Sequence, residues 1–182
     1  MMRKVLVILG QLRDTDAEWM ARVGMKRTVP DGETLITEGE HNASLFILLD
    51  GRLRIEDAKI GTIASLGVGE IVGEMSYVDD APPSASVVAE GASTVLELTH
   101  DSLDQRMESD PGFGMRFYRA LSFFLADRLR GTVRRLGYGQ AAGLDTNDVL
   151  EDELDDRLLD SVSLAGDRFD RMLKVLAGAR AG

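Results

Sequence analysis

The chain of 182 residues contains no cysteine and only two histidines, and both shortages limit its chemistry. Without cysteine there is no disulfide framework, no thiolate zinc site and no cysteine nucleophile. A serine nucleophile needs a histidine base, and no nucleophile-elbow pattern surrounds any serine. His41 and His100 are too few to form the imidazole cluster of a catalytic metal centre. We therefore expect no enzymatic activity, no metal site and no resident cofactor.

Long hydrophobic runs are also lacking. The longest N-terminal apolar run, Val5 to Leu9, is too short for a signal-peptide core or a membrane span. Apolar residues make up 44% of the chain and charged residues 29%, which is typical of a globular protein. We expect a soluble cytoplasmic protein that does not associate with a membrane.

Positive charge is scarce and unevenly placed. The net charge of −10 opposes the phosphate attraction on which nucleic-acid binding depends. Residues 145–160 alone hold eight carboxylates and one arginine, a segment charge of −7. This acidic segment follows the glycine-containing stretch 137–143, which is typical of a flexible break. Direct binding to DNA is not expected.

The N-terminal residues predict a short helix before the main domain. Thr15 and Glu18 have the spacing of a capping box, and Gly24 is typical of a helix end. From Val29 to about Thr99, short apolar runs alternate with glycine turns, which predicts β-strands.

The Asp50-Gly51 pair lies between two apolar runs of this β region. Asp-Gly accepts the positive φ angles of a type I′ turn, so the pair predicts a two-residue hairpin.

Two helices are predicted after the β region. Asp110-Pro111 is typical of a helix start, and an apolar stripe then continues to about Leu136. The stripe consists of Phe113, Phe117, Leu121, Phe124, Leu125 and Leu129. Two interpretations stay open: the stripe packs on the β unit, or it forms the interface of a homodimer. A last helix has apolar residues at 169, 172, 173 and 176. It is expected to dock on another surface, because an isolated helix of this length has marginal stability.

The stretch 73–87, GEMSYVDDAPPSASV, resembles the phosphate-binding cassette of cyclic nucleotide-binding domains. Residues 30–40, 45–51 and 66–74 resemble the strands and turns that precede this cassette in the family. The resemblance covers roughly residues 8–136. It implies a mainly β fold with flanking helices, that is, a double-stranded β-roll (jelly-roll) with an N-terminal helix, a long C-helix and a C-terminal appendage.

The resemblance divides the chain into three parts. Residues 1–136 form the cyclic-nucleotide-binding-like domain, residues 137–143 a flexible break, and residues 144–182 an acidic segment with a C-terminal helix. The family's transcription regulators carry a helix-turn-helix domain after the long helix. Only 46 residues follow Leu136 here and they lack a basic recognition helix, which again argues against DNA binding.

In the family, backbone amides at the start of the cassette helix and an arginine bind the cyclic phosphate, while a glutamate binds the ribose hydroxyl. The candidate ligand-binding residues carried over are Gly73, Glu74, Met75, Ser84, Ala85 and Ser86. Pro83 stands where the arginine belongs, and it offers neither a charge nor an N–H. No lysine or arginine occurs between Lys59 and Arg106. Arg52 and Arg54 are candidates for a replacement cation, although arginines on an exposed strand face are typically solvated.

Three functions follow from this pattern. The first is a non-catalytic regulatory or scaffold protein that acts through dimerisation and protein–protein interaction, without tight binding of cyclic AMP or cyclic GMP. The second is a sensor of a cyclic nucleotide or another nucleotide second messenger. The third is a cupin-like metalloenzyme, which the scarcity of histidine disfavours.

The chain after the long helix is expected to bind a protein partner, through either the acidic segment or the C-terminal helix. Alternatively, the acidic segment folds back on the arginine-rich end of the long helix, in the same subunit or in a second one.

Overall fold

The computed structural model describes residues 8–138 and 156–178. Most of the predicted break and of the acidic segment, residues 139–155, lies outside the described residues, and so do the proposed contacts of that segment. Helical residues at 8–11 precede the first complete element. The elements are α1 (Asp14–Val23), β1 (Met25–Val29), β2 (Thr34–Ile36), β3 (Ser44–Asp50), β4 (Leu53–Asp57), β5 (Gly61–Leu66), β6 (Ile71–Val72), α2 (Glu74–Asp79), β7 (Ser86–Ala89), β8 (Ser93–Thr99), α3 (His100–Ser109), α4 (Pro111–Tyr138) and α5 (Asp156–Gly178).

The strands form two antiparallel four-stranded sheets, in the orders β1-β8-β3-β6 and β2-β7-β4-β5. Side chains of both sheets form one hydrophobic cluster, which includes Phe46, Leu48, Leu53 and Val87. Alternate residues of β3, such as Leu45, belong instead to a second cluster with the helices. Strand β3 is thus buried on both faces, which explains its continuous apolar run. The predicted β-roll with flanking helices is confirmed.

The predicted hairpin at Asp50-Gly51 is wrong. Strand β3 pairs with β8 and β6, whereas β4 pairs with β5 and β7, so the chain crosses from one sheet to the other at this point. Gly51 alone of the pair has a positive φ, +88°, which differs from a type I′ turn. A Cβ at Gly51 would lie 2.5 Å from Ser93 Oγ. The glycine is therefore needed for close approach of the chain to Ser93, which hydrogen-bonds the backbone of Arg52.

The predicted capping box of Thr15 and Glu18 is also wrong. Helix α1 begins two residues earlier than this box predicts, and the N–H of its N-cap residue Arg13 donates to the carboxylate of Asp16 at 2.8 Å. Asp16 is fully buried. Arg116 of α4 compensates its charge by donating to both of its oxygens, Nε at 2.8 Å and Nη2 at 3.0 Å. A contact across 100 residues of sequence thus selects this carboxylate. The predicted helix end at Gly24 is confirmed.

The apolar stripe of α4 serves mainly the core of its own subunit. Four of its residues, Phe113, Phe117, Leu121 and Phe124, are buried against the first sheet and α1. The prediction that these four residues form the dimer interface is wrong, because their side chains are already buried within their own subunit. Leu125 is half-buried and Leu129 is 65% exposed.

Helix α5 docks as the sequence predicts. Its residues Ala165, Met172 and Leu176 are buried in the same cluster as Ala17 and Met20 of α1. Among the helices within residues 8–138 and 156–178, none combines the length and the apolar character needed to cross a bilayer.

Candidate functional site

The cassette begins with a glycine turn between β6 and α2. Gly73 has a φ of +87°, and a Cβ there would lie 2.6 Å from the carbonyl oxygen of Ser44 and 2.9 Å from Asn42 Nδ2. A side chain at this position is excluded by both strain and contact. Glu74, the next residue, is 2% exposed, whereas Met75 is 50% exposed. The turn thus directs the glutamate inwards and the methionine towards solvent.

The second half of the cassette is attached to the turn that follows β2. The N–H of Gly39 donates to the carbonyl of Pro83 at 2.8 Å, and the N–H of Glu38 donates to Ser86 Oγ at 2.9 Å. Pro83, Ala85 and Ser86 are half-buried, and Ser84 is exposed. The Ser86 hydroxyl, a candidate donor to a ligand, therefore accepts a hydrogen bond from the protein's own backbone.

Glu38 also links this loop to the β4–β5 turn. Its carboxylate accepts the N–H of Ala58 at 2.9 Å, so the β4–β5 turn contacts the loop that Glu38 joins to Ser86, and Lys59 is the next residue of that turn. Sequence reasoning identified residues 30–40 only as part of a strand and its turns, and it missed Glu38 as a connection. A glutamate between two glycine turns gives no local signal for a contact 20 residues away.

Neither strand arginine replaces the missing cassette arginine. In β4, Leu53 and Ile55 belong to the cluster between the sheets, so Arg54 lies on the opposite face. The Arg54 guanidinium bonds Glu56, and that hydrogen bond raises the pKa of Arg54. Arg52 is exposed on the crossover.

Tyr77 fixes the cassette helix to the helices that follow the roll. Its hydroxyl donates to Asp104 of α3 at 2.7 Å, and its ring contacts His100 at 4.9 Å and Phe117 of α4 at 6.1 Å between centroids. Burial is the main cause that raises the pKa of Tyr77, and the hydrogen bond to Asp104 raises it further. Burial lowers the pKa of His100. Sequence reasoning missed Tyr77, since an aromatic residue in a six-residue helix has no periodicity to mark it.

Metal binding has no geometric support among the described residues. Within residues 8–138 and 156–178, no group of three or more His, Asp or Glu side chains is arranged to hold a metal ion.

Two four-stranded sheets, with a glycine turn and a short helix inserted before β7, define the chain as a β-roll domain. The family model for the cyclic nucleotide-binding domain matches residues 26–110. Residues 26–110 therefore match the cyclic nucleotide-binding domain family, and the fold expected from the resemblance is the observed one.

Similar proteins include regulators from bacteria and fungi. The chain is 34% identical over 77 residues to a cyclic AMP receptor protein of Thermus thermophilus, a match to 40% of this chain and 36% of that protein. It is 30% identical over 78 residues to a cAMP-dependent protein kinase regulatory subunit of Mycosarcoma maydis, covering 41% of this chain and 15% of that protein. The chain thus spans about a third or less of these curated relatives.

A solved structure extends the likeness beyond the matched segment. A cyclic nucleotide-binding domain from Methylobacillus flagellatus superposes with a TM-score of 0.67 and 25% identity, covering 79% of this chain and 86% of that one. The common architecture therefore reaches into the helices that flank the two sheets.

Proposed function

We propose that this chain is a non-catalytic regulatory or scaffold module of the cytoplasm. It works through a homodimer and through protein–protein contact, and it binds cyclic AMP and cyclic GMP only weakly. The observation that carries this proposal is Pro83, whose carbonyl is held by Gly39 at the place of the phosphate-binding arginine. Regulatory relatives support a role in signalling over one in catalysis.

Weak binding follows from the chemistry of the cassette. A guanidinium donates two charge-assisted hydrogen bonds to a phosphate, each worth about 1.5–3 kcal/mol. Proline provides neither, so affinity is expected to fall by roughly two to four orders of magnitude. The buried Glu74 and the exposed Asp79 add negative charge on the short helix, and Asp80 adds more directly after it.

Calorimetric titration with cyclic AMP, cyclic GMP and cyclic dinucleotides tests this proposal. We expect no heat of binding at micromolar ligand, and Pro83→Arg is expected to tighten binding at least 100-fold. The hydrogen bond from Gly39 uses the backbone carbonyl at position 83 and survives the substitution. Pro83→Ala is the matched control, because it changes the backbone in the same way without adding charge. Tight binding by the unmodified chain would refute the proposal.

The dimer surface is proposed on the outer face of α4, opposite the buried stripe. Met115 is 71% exposed, Tyr118 45%, Leu129 65% and Val133 58%. Their spacing places them on one side of the helix. A second copy of this face would bury all four, as in a two-helix seam.

Light scattering of two α4 variants tests the dimer. We expect Leu129→Glu to produce monomers at a concentration at which the unmodified chain is dimeric. Arg130→Ala, an exposed position off this face, is expected to leave the dimer intact. A monomeric unmodified chain at high micromolar concentration would exclude this interface.

A second candidate function is a sensor of an anionic ligand, and the position of Lys59 favours it. The hydrogen bond between Ala58 and Glu38 brings this lysine to the loop that Glu38 joins to Ser86. If a nucleotide binds at all, Lys59→Ala is expected to weaken it at least tenfold, whereas Lys26→Ala on β1 is not. Absence of binding at millimolar ligand would reject this candidate.

A further inference from the structure

Helix α5 lies in a groove formed by α1 and the residues before it. The floor of the contact is apolar, because Met172 and Leu176 are buried in one cluster with Ala17 and Met20. An amphipathic helix laid on such a surface is a common mode of protein recognition, with anchors at helical spacing.

One edge of the groove is a binding place for an arginine. Arg168 Nε donates to Asp14 Oδ1 at 2.8 Å, and its Nη1 donates to the carbonyl oxygens of Leu9 and Gly10 at 2.7 and 3.2 Å. These two carbonyls lie at the end of the helical residues 8–11, where unpaired acceptors favour a cation. Arg168 is only 13% exposed, so this contact is largely shielded from water.

A second arginine lies one helical turn further on. Arg171 contacts Glu18 at 3.2 Å and Asp14 at 3.6 Å. Its side chain is 50% exposed and that of Asp14 is 48% exposed, so solvent reaches this rim. The groove therefore combines an apolar floor, one shielded arginine site and one open acidic rim.

The polar contacts of Arg168 and Arg171 are made with α1 and the residues before it. The hydrogen bonds and ion pairs of Arg168 and Arg171 all end on residues 9–18. Residues 139–155 separate α5 from α4 in the sequence. Release of α5 would break these contacts with residues 9–18 and expose the groove.

We propose that this groove is the output surface of the module, where an amphipathic helix of a partner protein displaces α5. The helix that fits has arginines at positions i and i+3 and apolar residues at i+4 and i+8, the chemistry of Arg168, Arg171, Met172 and Leu176. Charge complementarity selects it, since Asp14 and Glu18 form the acidic rim. The inference deepens the proposed regulatory role, but its test is independent of nucleotide binding and of the α4 dimer.

The first experiment measures displacement in the intact protein. Because the chain has no native cysteine, Asp170→Cys places one spin label on the exposed face of α5. The probe is a synthetic peptide of residues 156–178. A tethered α5 has an effective concentration on the order of millimolar, so the mobile fraction is expected to rise as the peptide approaches that range. A peptide with both Arg168→Glu and Arg171→Glu is expected to have no effect.

The second experiment weakens α5 within the full chain. Arg168→Glu is expected to lower the Kd of the fluorescein-labelled peptide at least tenfold relative to the unmodified chain. Lys174→Glu reverses a charge on the exposed face of the same helix and is expected to bind as the unmodified chain does. A cooperative thermal transition verifies that each variant is folded.

Three results would overturn the inference. The first is equal peptide affinity for the Arg168→Glu and unmodified chains. The second is displacement that does not depend on the arginines of the peptide. The third is label mobility that changes with protein concentration in the absence of peptide, which would assign the groove to α5 of a second copy.

Discussion

Removal of the Asp16 carboxylate is expected to be among the most destabilising single changes in this chain. Asp16 is fully buried and accepts three hydrogen bonds, one from Arg13 N–H and two from Arg116. It therefore joins the start of α1 to α4. Asp16→Ala leaves the Arg116 guanidinium, which is only 15% exposed, without this partner.

The size of the effect follows from that burial. Breaking a buried ion pair by removing one partner costs about 3–5 kcal/mol. Asp110 lies 3.7 Å from Arg116 and compensates in part, so we expect about 3 kcal/mol. For a chain of this size each kcal/mol lowers Tm by about 2–4 °C, which gives a fall of roughly 10 °C.

Urea and thermal unfolding followed by circular dichroism measure this loss. Arg22→Ala is the control, because Arg22 is 70% exposed in its pair with Glu18 and should cost less than about 1 kcal/mol. Replacing both buried partners, Asp16→Leu with Arg116→Met, is expected to cost less than Asp16→Ala alone. A loss below about 1 kcal/mol for Asp16→Ala would refute the assignment of this pair as a buried junction.

Three further predictions concern the crossover, the histidine under the cassette helix and the docked C-terminal helix. Gly51→Ala is expected to destabilise by at least about 1 kcal/mol more than Gly32→Ala, since both have positive φ but only position 51 is crowded; urea unfolding compares them. Burial holds the pKa of His100 below its usual 6.5, so the unfolded state takes up the proton first and stability falls as pH drops below 6.5. His100→Gln should flatten this slope in melting curves; an unchanged slope in that variant would contradict the effect. The hydrogen bond from Arg168 holds the pKa of Asp14 below its usual 3.8, so α5 docking should persist above that pH and weaken as pH falls through the lowered value. Hydrogen exchange of α5 amides measures this, and an unchanged exchange rate at low pH would contradict it.

The sequence predicts strands and helices well here but not their partners. The run Leu45–Leu49 marks a strand, yet pairing with β8, some 50 residues later, is invisible to local pattern. Asp50-Gly51 favours a turn whether the next strand pairs with β3 or joins another sheet. The long-range pairing of β3 with β8 and of β4 with β7 decides that this turn joins two sheets. Likewise Thr15 has the residue type of an N-cap, but the helix begins after Arg13, whose N–H bonds Asp16, and the partner of Asp16 on α4 lies 100 residues away.

Helix α4 shows the same limit in another form. Periodicity identifies Phe113 and Phe117 as one face, but it cannot say whether a face meets its own sheet or another subunit. Met115 and Tyr118 form a second, weaker apolar face that the stronger one obscures. The position of the cassette was predictable from Gly73 to Ser86, whereas the attachments of Glu38 and Tyr77 depend on residues distant in sequence.

The bond between Gly39 and the carbonyl of Pro83 has an evolutionary consequence. The loop keeps its shape through the main chain, so the residue type at position 83 changes charge without changing architecture. Each proline codon differs from an arginine codon at a single nucleotide. If the proposed function holds, one nucleotide change at position 83 would add or remove the phosphate-binding charge and would leave the proposed α4 face and the groove beneath α5 intact.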